Sequence, residues 1–332
     1  VLLEAIVEVG GAMPSTLSLD AKHSTRAIKW LLKSDPAIRW QVMRDLTDAP
    51  ADVVAAERRR VAFEGWGAAF LALQSPDGHW GETDRGWMTT THSLILLKDL
   101  GVDPAAEPVR AALDRVGERI VWWQLDGRPY FEGETEPCIN GAILGAGAYF
   151  GSPSDALVDR LLSEQLADGG WNCDAPPSTR SSFHSTTRVL EGLLEYEKRR
   201  GAQTAITDAR RRAHEYLLER RMFRSLRSGE IIDRRWLRFA FPPTWHYDVL
   251  RGLDYLRDAR VQPDERAAEA IEVVEQRRHQ NGLWPLNRRH DEGVPFPMDP
   301  GVGKASAWNT LRALRVLRWY RKNGPTTETR YS

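Results

Sequence analysis

The sequence has little cysteine, no surplus of charge of either sign and no long apolar run. Each shortage removes a class of function. Two cysteines in 332 residues, Cys138 and Cys173, are too few for a disulfide framework and suit a reducing compartment, so the expected location is the cytoplasm. Lys plus Arg and Asp plus Glu number 46 each, which leaves no polycationic footprint for nucleic acid. No stretch approaches the roughly 18 to 20 apolar residues of a spanning helix, so no transmembrane segment is expected and only peripheral membrane contact stays compatible. Residues 1–9 are apolar but carry Glu4 and Glu8 without a basic n-region, unlike a secretory signal. CxxC, HExxH and phosphate-binding glycine loops are also missing, so a metal or anion site has to be assembled from separated residues.

Tryptophan is abundant, with 13 residues, and its placement repeats. Three turns share one pattern: Gln74-Ser-Pro-Asp-Gly78-His-Trp80, Gln165-Leu-Ala-Asp-Gly169-Gly-Trp171 and Arg278-His-Gln-Asn-Gly282-Leu-Trp284. A degenerate relative runs from Trp123 through Gly127 to Tyr130. The glycine supplies a positive φ for the turn, the tryptophan packs back between hairpins, and the glutamine amide is expected to satisfy orphan carbonyls at its helix end. Between the turns, charged amphipathic helices are predicted over 50–73, 104–123, 153–165, 204–220 and 263–278, four of them starting at or near proline. They alternate with more apolar helices over 89–100, 137–150, 183–197, 244–256 and 304–320. A further pair covers 24–33 and 35–46. Charged helices read as an outer layer and apolar ones as an inner layer. The inner set aligns through Leu97-Lys-Asp-Leu100, Leu190-Glu-Gly-Leu193, Leu250-Arg-Gly-Leu253 and Leu311-Arg-Ala-Leu314. Small residues from Gly141 to Ala148 mark a steric demand on one inner helix, because glycine there costs up to ~1 kcal/mol each.

The prediction is an all-α fold, an (α/α)6 toroid of six helical hairpins; an open solenoid would carry the same repeat. Residues 1–23 read as a loose leader, 24–322 as the single toroid domain and 323–332 as a flexible tail.

The Q-x3-G-x-W turns resemble the QW repeats of squalene–hopene and oxidosqualene cyclases, whose toroid is similar to the β subunits of protein prenyltransferases. The resemblance covers residues 24 to 322 and implies a central cavity lined by the inner helices. The prenyltransferase β subunits hold catalytic zinc with an Asp-x-Cys at one inner-helix start and a His at another. Glu136-Pro137-Cys138 is similar to the first, with Glu for Asp, and Phe183-His184-Ser185-Thr186 to the second. That resemblance also implies an isoprenoid or other apolar substrate, with an anionic group where a diphosphate is present, and leaves open a partner subunit. The D-x-D-D acid motif of the triterpene cyclases is missing, leaving Asp248 as the lone acid for a protonation-initiated cyclase. Lanthipeptide cyclases, which also use a toroid with a Cys/Cys/His zinc, supply a thiol-substrate alternative.

Cys138 and His184 lie 46 residues apart, one repeat, so they are expected on adjacent hairpins as zinc ligands with Glu136. Cys173 and Asp174, on the turn before His184, are expected either to complete the metal site or to serve the turn itself. His92 and His246 open inner helices and, with Asp248, are the candidate catalytic groups. Arg234, Arg235 and Arg288 are candidates to clamp an anion, and Trp87, Tyr130, Phe183, Trp245, Tyr247 and Trp308 to line an apolar pocket. The leading expectation is a zinc-dependent enzyme with an activated nucleophile. The alternatives are the protonation-initiated cyclase and a non-enzymatic binding toroid with a structural metal.

Overall fold

The computed structural model describes residues 15–81, 86–290 and 296–323. Of the loose leader expected over 1–23 and the tail over 323–332, residues 1–14 and 324–332 lie outside the described residues; a helix already runs from Ser15, so the leader is not loose over 15–23, and the last helix extends to Asn323.

Helices account for nearly all of the regular structure. The first hairpin is α1 (Ser15–Leu31) and α2 (Pro36–Leu46); α3 (Ala51–Arg60) and α4 (Gly65–Ala72) then lead to α5 (Gly86–Leu100). Four further pairs follow: α6 (Glu107–Arg119) with α7 (Pro137–Phe150), and α8 (Asp155–Ser163) with α9 (Phe183–Arg200). The last two are α10 (Thr204–Glu219) with α11 (Val249–Asp258), and α12 (Ala268–Gln276) with α13 (Ala307–Asn323). The segment expected as one helix over 50–73 is two, because Gly65 turns with φ +62° directly against Asp35. The Asp35 carboxylate accepts from Ala37 N–H and Trp66 N–H, each at 2.8 Å, and so starts α2 and α4 together.

The inner helices α5, α7, α9, α11, α13 and α2 form a closed ring. Arg251 of α11 pairs with Glu191 of α9 at 2.7 Å, and Arg312 of α13 with Asp254 of α11 at 3.7 Å. Closure is made by Arg315 of α13, which reaches Gln41 at 2.7 Å and Asp45 at 2.5 Å on α2. On the other side of α2, the Trp40 indole donates to Leu100 O at the end of α5, 2.9 Å away. An open solenoid would leave these two ends apart, so the toroid holds. Neighbouring inner helices from α5 to α13 run parallel, which puts their N-termini on one face of the ring, here the N-terminal face.

The repeated turns explain the outer layer, with one reversal of role. The indoles of Trp80, Trp171 and Trp284 each donate to a last-turn carbonyl ten residues back, at Phe70, Leu161 and Val274, over 2.7 to 2.8 Å. The tryptophan therefore caps its own helix. Gln74 and Gln165 instead reach across to the next outer helix, donating to Ala112 O (2.9 Å) and Ala209 O (2.8 Å). The same two amides also close their own turns, donating to Gly78 O (3.0 Å) and Gly169 O (2.7 Å). Gly78 has φ +91°, and a Cβ there would stand 2.8 Å from Arg115 O. In the degenerate turn a two-residue hairpin, β1 (Val121–Trp122) with β2 (Arg128–Pro129), replaces the pattern. Trp122 takes the buried place and stacks on Tyr130, while Trp123 faces solvent.

Candidate functional site

The steric demand in α7 is met by α9. Gly141 and Gly145 lie against the α9 backbone: a Cβ on Gly141 would be 2.7 Å from Val189 Cα, and one on Gly145 would be 3.3 Å from Gly192 Cα. Two helices in backbone contact bring their first turns together as well. Cys138 sits one turn before Gly141, and the chain entering α9 folds Cys173 back over Ser185, with Cys173 N–H and Sγ both 3.3 Å from the Ser185 hydroxyl. Glu136, Cys138 and Cys173 thereby place one ligand atom each within 4.8 Å of one another. Cys138 Sγ lies 3.7 Å from Glu136 Oε2. Glu136 occupies the N-cap of α7 without using its carboxylate as a cap; its N–H is held by Glu134 at 2.8 Å and Pro137 fills the first helical position. Both cysteines are free thiols and half-buried. Their titration is split: the hydrogen bond between them and burial push the Cys138 thiol up, while that same bond holds Cys173 below its ordinary value.

Donor chemistry and spacing fit zinc. Two sulfurs bound tetrahedrally at about 2.3 Å stand about 3.8 Å apart, and a carboxylate oxygen slightly closer, a set that the observed separations accommodate. His184 does not join this group. Its Nδ1 accepts Tyr247 N–H at 2.8 Å, toward α11, and burial with Arg251 nearby lowers it to about 4. Asp174 also stays out: its N–H closes a local turn on Asn172 Oδ1 at 3.0 Å, the turn role.

The other candidates divide between packing and exposure. The His246 ring stacks between Trp245 (3.8 Å) and His290 (3.7 Å), with His184 edge-on at 6.2 Å. Burial, with His290 next, lowers His246 to about 3, so it is neutral at physiological pH. Asp248 is the N-cap of α11: Oδ1 accepts Arg251 N–H at 2.8 Å and Oδ2 accepts Ala240 N–H at 3.2 Å, and burial raises its pKa. Tyr130, Phe183, Tyr247 and Trp308 are buried in ring-to-ring packing, Trp308 flat against Phe241 at 4.1 Å. Trp245 is 48% exposed. Arg234 and Arg235 are exposed, Arg235 paired with Asp233 at 2.6 Å, and Arg288 is half-buried. The Trp87 side chain lies outside the described residues.

The middle of the ring differs most from expectation. Among the described residues, charged side chains from α2, α5, α9, α11 and α13 meet where an apolar cavity was expected. Glu191 takes Arg251 at 2.7 Å and Arg188 at 2.8 Å, and these surroundings hold it at about 2 despite burial. Lys98 pairs with Asp99 at 2.7 Å and feels Glu195 and Glu191 across the ring. Arg188 and Arg251 both also donate to Thr244 O. The space left between α5, α9 and the 242–244 segment, lined by His92, Leu96, Asp99 and Arg188, is about 20 Å³, room for one water. One acid escaped the sequence reading. Asp299, ahead of α13, accepts from Ser306 Oγ (2.7 Å) and Ala307 N–H (3.1 Å), and burial raises it to about 6.

No family model and no curated protein matches the sequence. Among solved structures, the chain is similar to type II terpene cyclase MstE from Scytonema in its apo form: 16% identity over 92% of this chain and 99% of that one, TM-score 0.47. It is also similar to a variant of that cyclase in complex with its substrate, geranylgeranyl dihydroxybenzoate, at 16% identity over 91% and 97%, TM-score 0.44. At these values the likeness is one of chain course, and it reaches no side chain of the site.

Proposed function

We propose that this chain is a metal-dependent enzyme whose zinc is held by Glu136, Cys138 and Cys173 on the N-terminal face of the ring. Its substrate is a thiol-bearing or isoprenoid-like molecule arriving from that face. The observation that carries the reading is the convergence of the chain's two cysteines and one uncommitted carboxylate from consecutive hairpins. Three protein donors leave a tetrahedral ion one open position, the catalytic arrangement. When bound there, zinc lowers the pKa of a coordinated thiol or water. The chain's own part is to hold the Cys173 thiol below its ordinary value through Cys138 and Ser185, and to set the Arg188 guanidinium near Cys138. The α7 N-terminus adds a favourable field for negative charge.

Metal analysis of protein purified without chelator tests this. About one zinc per chain is expected, absent from Cys138→Ser and from Cys173→Ser. Folded protein that holds no zinc, and takes none up at micromolar concentration, would refute it.

A second reading, protonation of a linear polyprene by a buried acid, is supported by the raised pKa of Asp299 and Asp248. Asp299 suits it better, since the Arg312 guanidinium 3.9 Å from Asp248 favours the carboxylate form there, whereas Asp299, among the described residues, meets only a hydroxyl and one N–H. Conversion that survives Cys138→Ser but stops in Asp299→Asn would favour this reading over the first.

A further inference from the structure

Eight large hydrophobic side chains among the described residues are exposed, and seven of them, all but Phe63, sit in connections that lead from an outer helix to an inner one. Those connections share the N-terminal face, so apolar exposure belongs to one side of the ring. It is densest between α10 and α11, where Leu226 (59% exposed), Ile232 (44%) and Trp245 (48%) project.

The same connection is basic. Residues 221–247 hold six arginines against two carboxylates, Glu230 and Asp233. Arg221, Arg227 and Arg234 are exposed; Arg224 is tied to Glu269 and Arg235 to Asp233. The charge on the chain is balanced overall, so this surplus is local.

The apolar tip is also held in shape. Arg224 and Ile231 form an antiparallel bridge, Ser225 N–H donates to Glu230 O at 2.9 Å, and Gly229 N–H donates to Ser225 O at 2.8 Å with Gly229 at φ +70°. Met222 and Phe223, both buried, anchor the base. Leu226 and Arg227 therefore stand at the apex of a backbone-bonded turn, so the backbone there is already ordered for their insertion.

We propose that this face docks on an anionic membrane surface, with Leu226, Ile232 and Trp245 entering the headgroup layer and Arg221, Arg227 and Arg234 pairing with lipid phosphates. Short apolar tips flanked by arginine, with a tryptophan at the interface level, match the chemistry of that layer. A peripheral dock is the mode available to the described residues, since none of their helices is long and apolar enough to cross a membrane. A protein partner would be expected to meet a broader apolar area with fewer like charges at its centre. The proposal does not depend on the metal centre.

Co-sedimentation with phosphatidylglycerol–phosphatidylcholine vesicles tests it, with pure phosphatidylcholine vesicles as reference. Binding to the anionic vesicles is expected, at least about 10-fold stronger than to the neutral ones and weakened by salt. The triple variant L226S/I232S/W245S should lose it while keeping its helical circular dichroism, because all three side chains are exposed. R227A/R234A should weaken binding and flatten the salt dependence. Bromolipid quenching of tryptophan emission, reduced in W245S against the parent, would place that residue in the layer. Equal binding to both vesicle types, or none, overturns the proposal. So does self-association of the chain that L226S/I232S/W245S abolishes without any vesicle binding, which would make the face a protein interface.

Discussion

Gly141→Ala isolates the contact on which the candidate centre rests. A Cβ at position 141 would stand 2.7 Å from Val189 Cα and 2.9 Å from both Arg188 O and Val189 N. Carbon atoms settle at about 3.5 Å or more, so α7 and α9 have to part by about 0.8 Å. All three opposing atoms are backbone, and no rotamer change relieves them. Helix propensity alone pushes the other way, favouring alanine by ~1 kcal/mol. Overpacking against rigid backbone costs ~1–3 kcal/mol, and here the upper part of that range applies, for a net loss of about 2 kcal/mol. Gly117→Ala is the control, since a Cβ on that exposed glycine of α6 meets nothing within 4 Å. It should gain ~0.5–1 kcal/mol. Urea unfolding followed by circular dichroism reads both. The wedge also falls one turn from Cys138, and a shift several times the about 0.2 Å tolerance of a metal–ligand bond should lower zinc affinity at least about 10-fold. A Gly141→Ala protein as stable as the parent, with parental zinc affinity, would refute the claim that backbone contact sets the cluster.

Two further outcomes follow from the buried charges and imidazoles. Glu191→Gln leaves Arg188 and Arg251 in the ring without their carboxylate, and should destabilise by ~3–5 kcal/mol in urea unfolding; a change under about 1 kcal/mol would mean the two guanidiniums are adequately solvated. For pH, His184, His214 and His246 are lowered to about 4, 3 and 3, chiefly by burial, from an ordinary 6.5. The unfolded chain therefore takes up protons that the native state refuses, so the stability they contribute is complete above 6.5 and is lost as pH falls toward 3 to 4. Thermal midpoints should drop between pH 7.5 and 5, and a flat profile there would show the rings to be accessible to protons.

The ring was legible because its grammar is local. Glutamine, glycine and tryptophan at fixed offsets announce each turn, and the alternation of charged and apolar helices announces the layers. The convergence of Cys138 and Cys173 was half legible: one repeat of spacing put α7 beside α9, but the side to which His184 turns depends on helix rotation, which no spacing encodes. The charged middle was written in the sequence and read past. Lys98, Glu191, Arg251 and Arg312 occupy the same place in four aligned Leu-x-x-Leu segments, and a charge recurring at one repeat position of an inner helix has to meet its counterparts across the ring. Asp299 had no such signal, because its burial comes from tertiary packing ahead of α13.

The contact of Arg315 with Gln41 and Asp45 turns a row of repeats into a hoop. A row frays from its ends, and its terminal units exchange amide protons first. A hoop offers no such starting point: each inner helix has a neighbour on either side, and opening anywhere first costs the seam. The few atoms at that seam hold two segments more than 270 residues apart in sequence, and so decide whether the whole molecule yields at once or peels from one side.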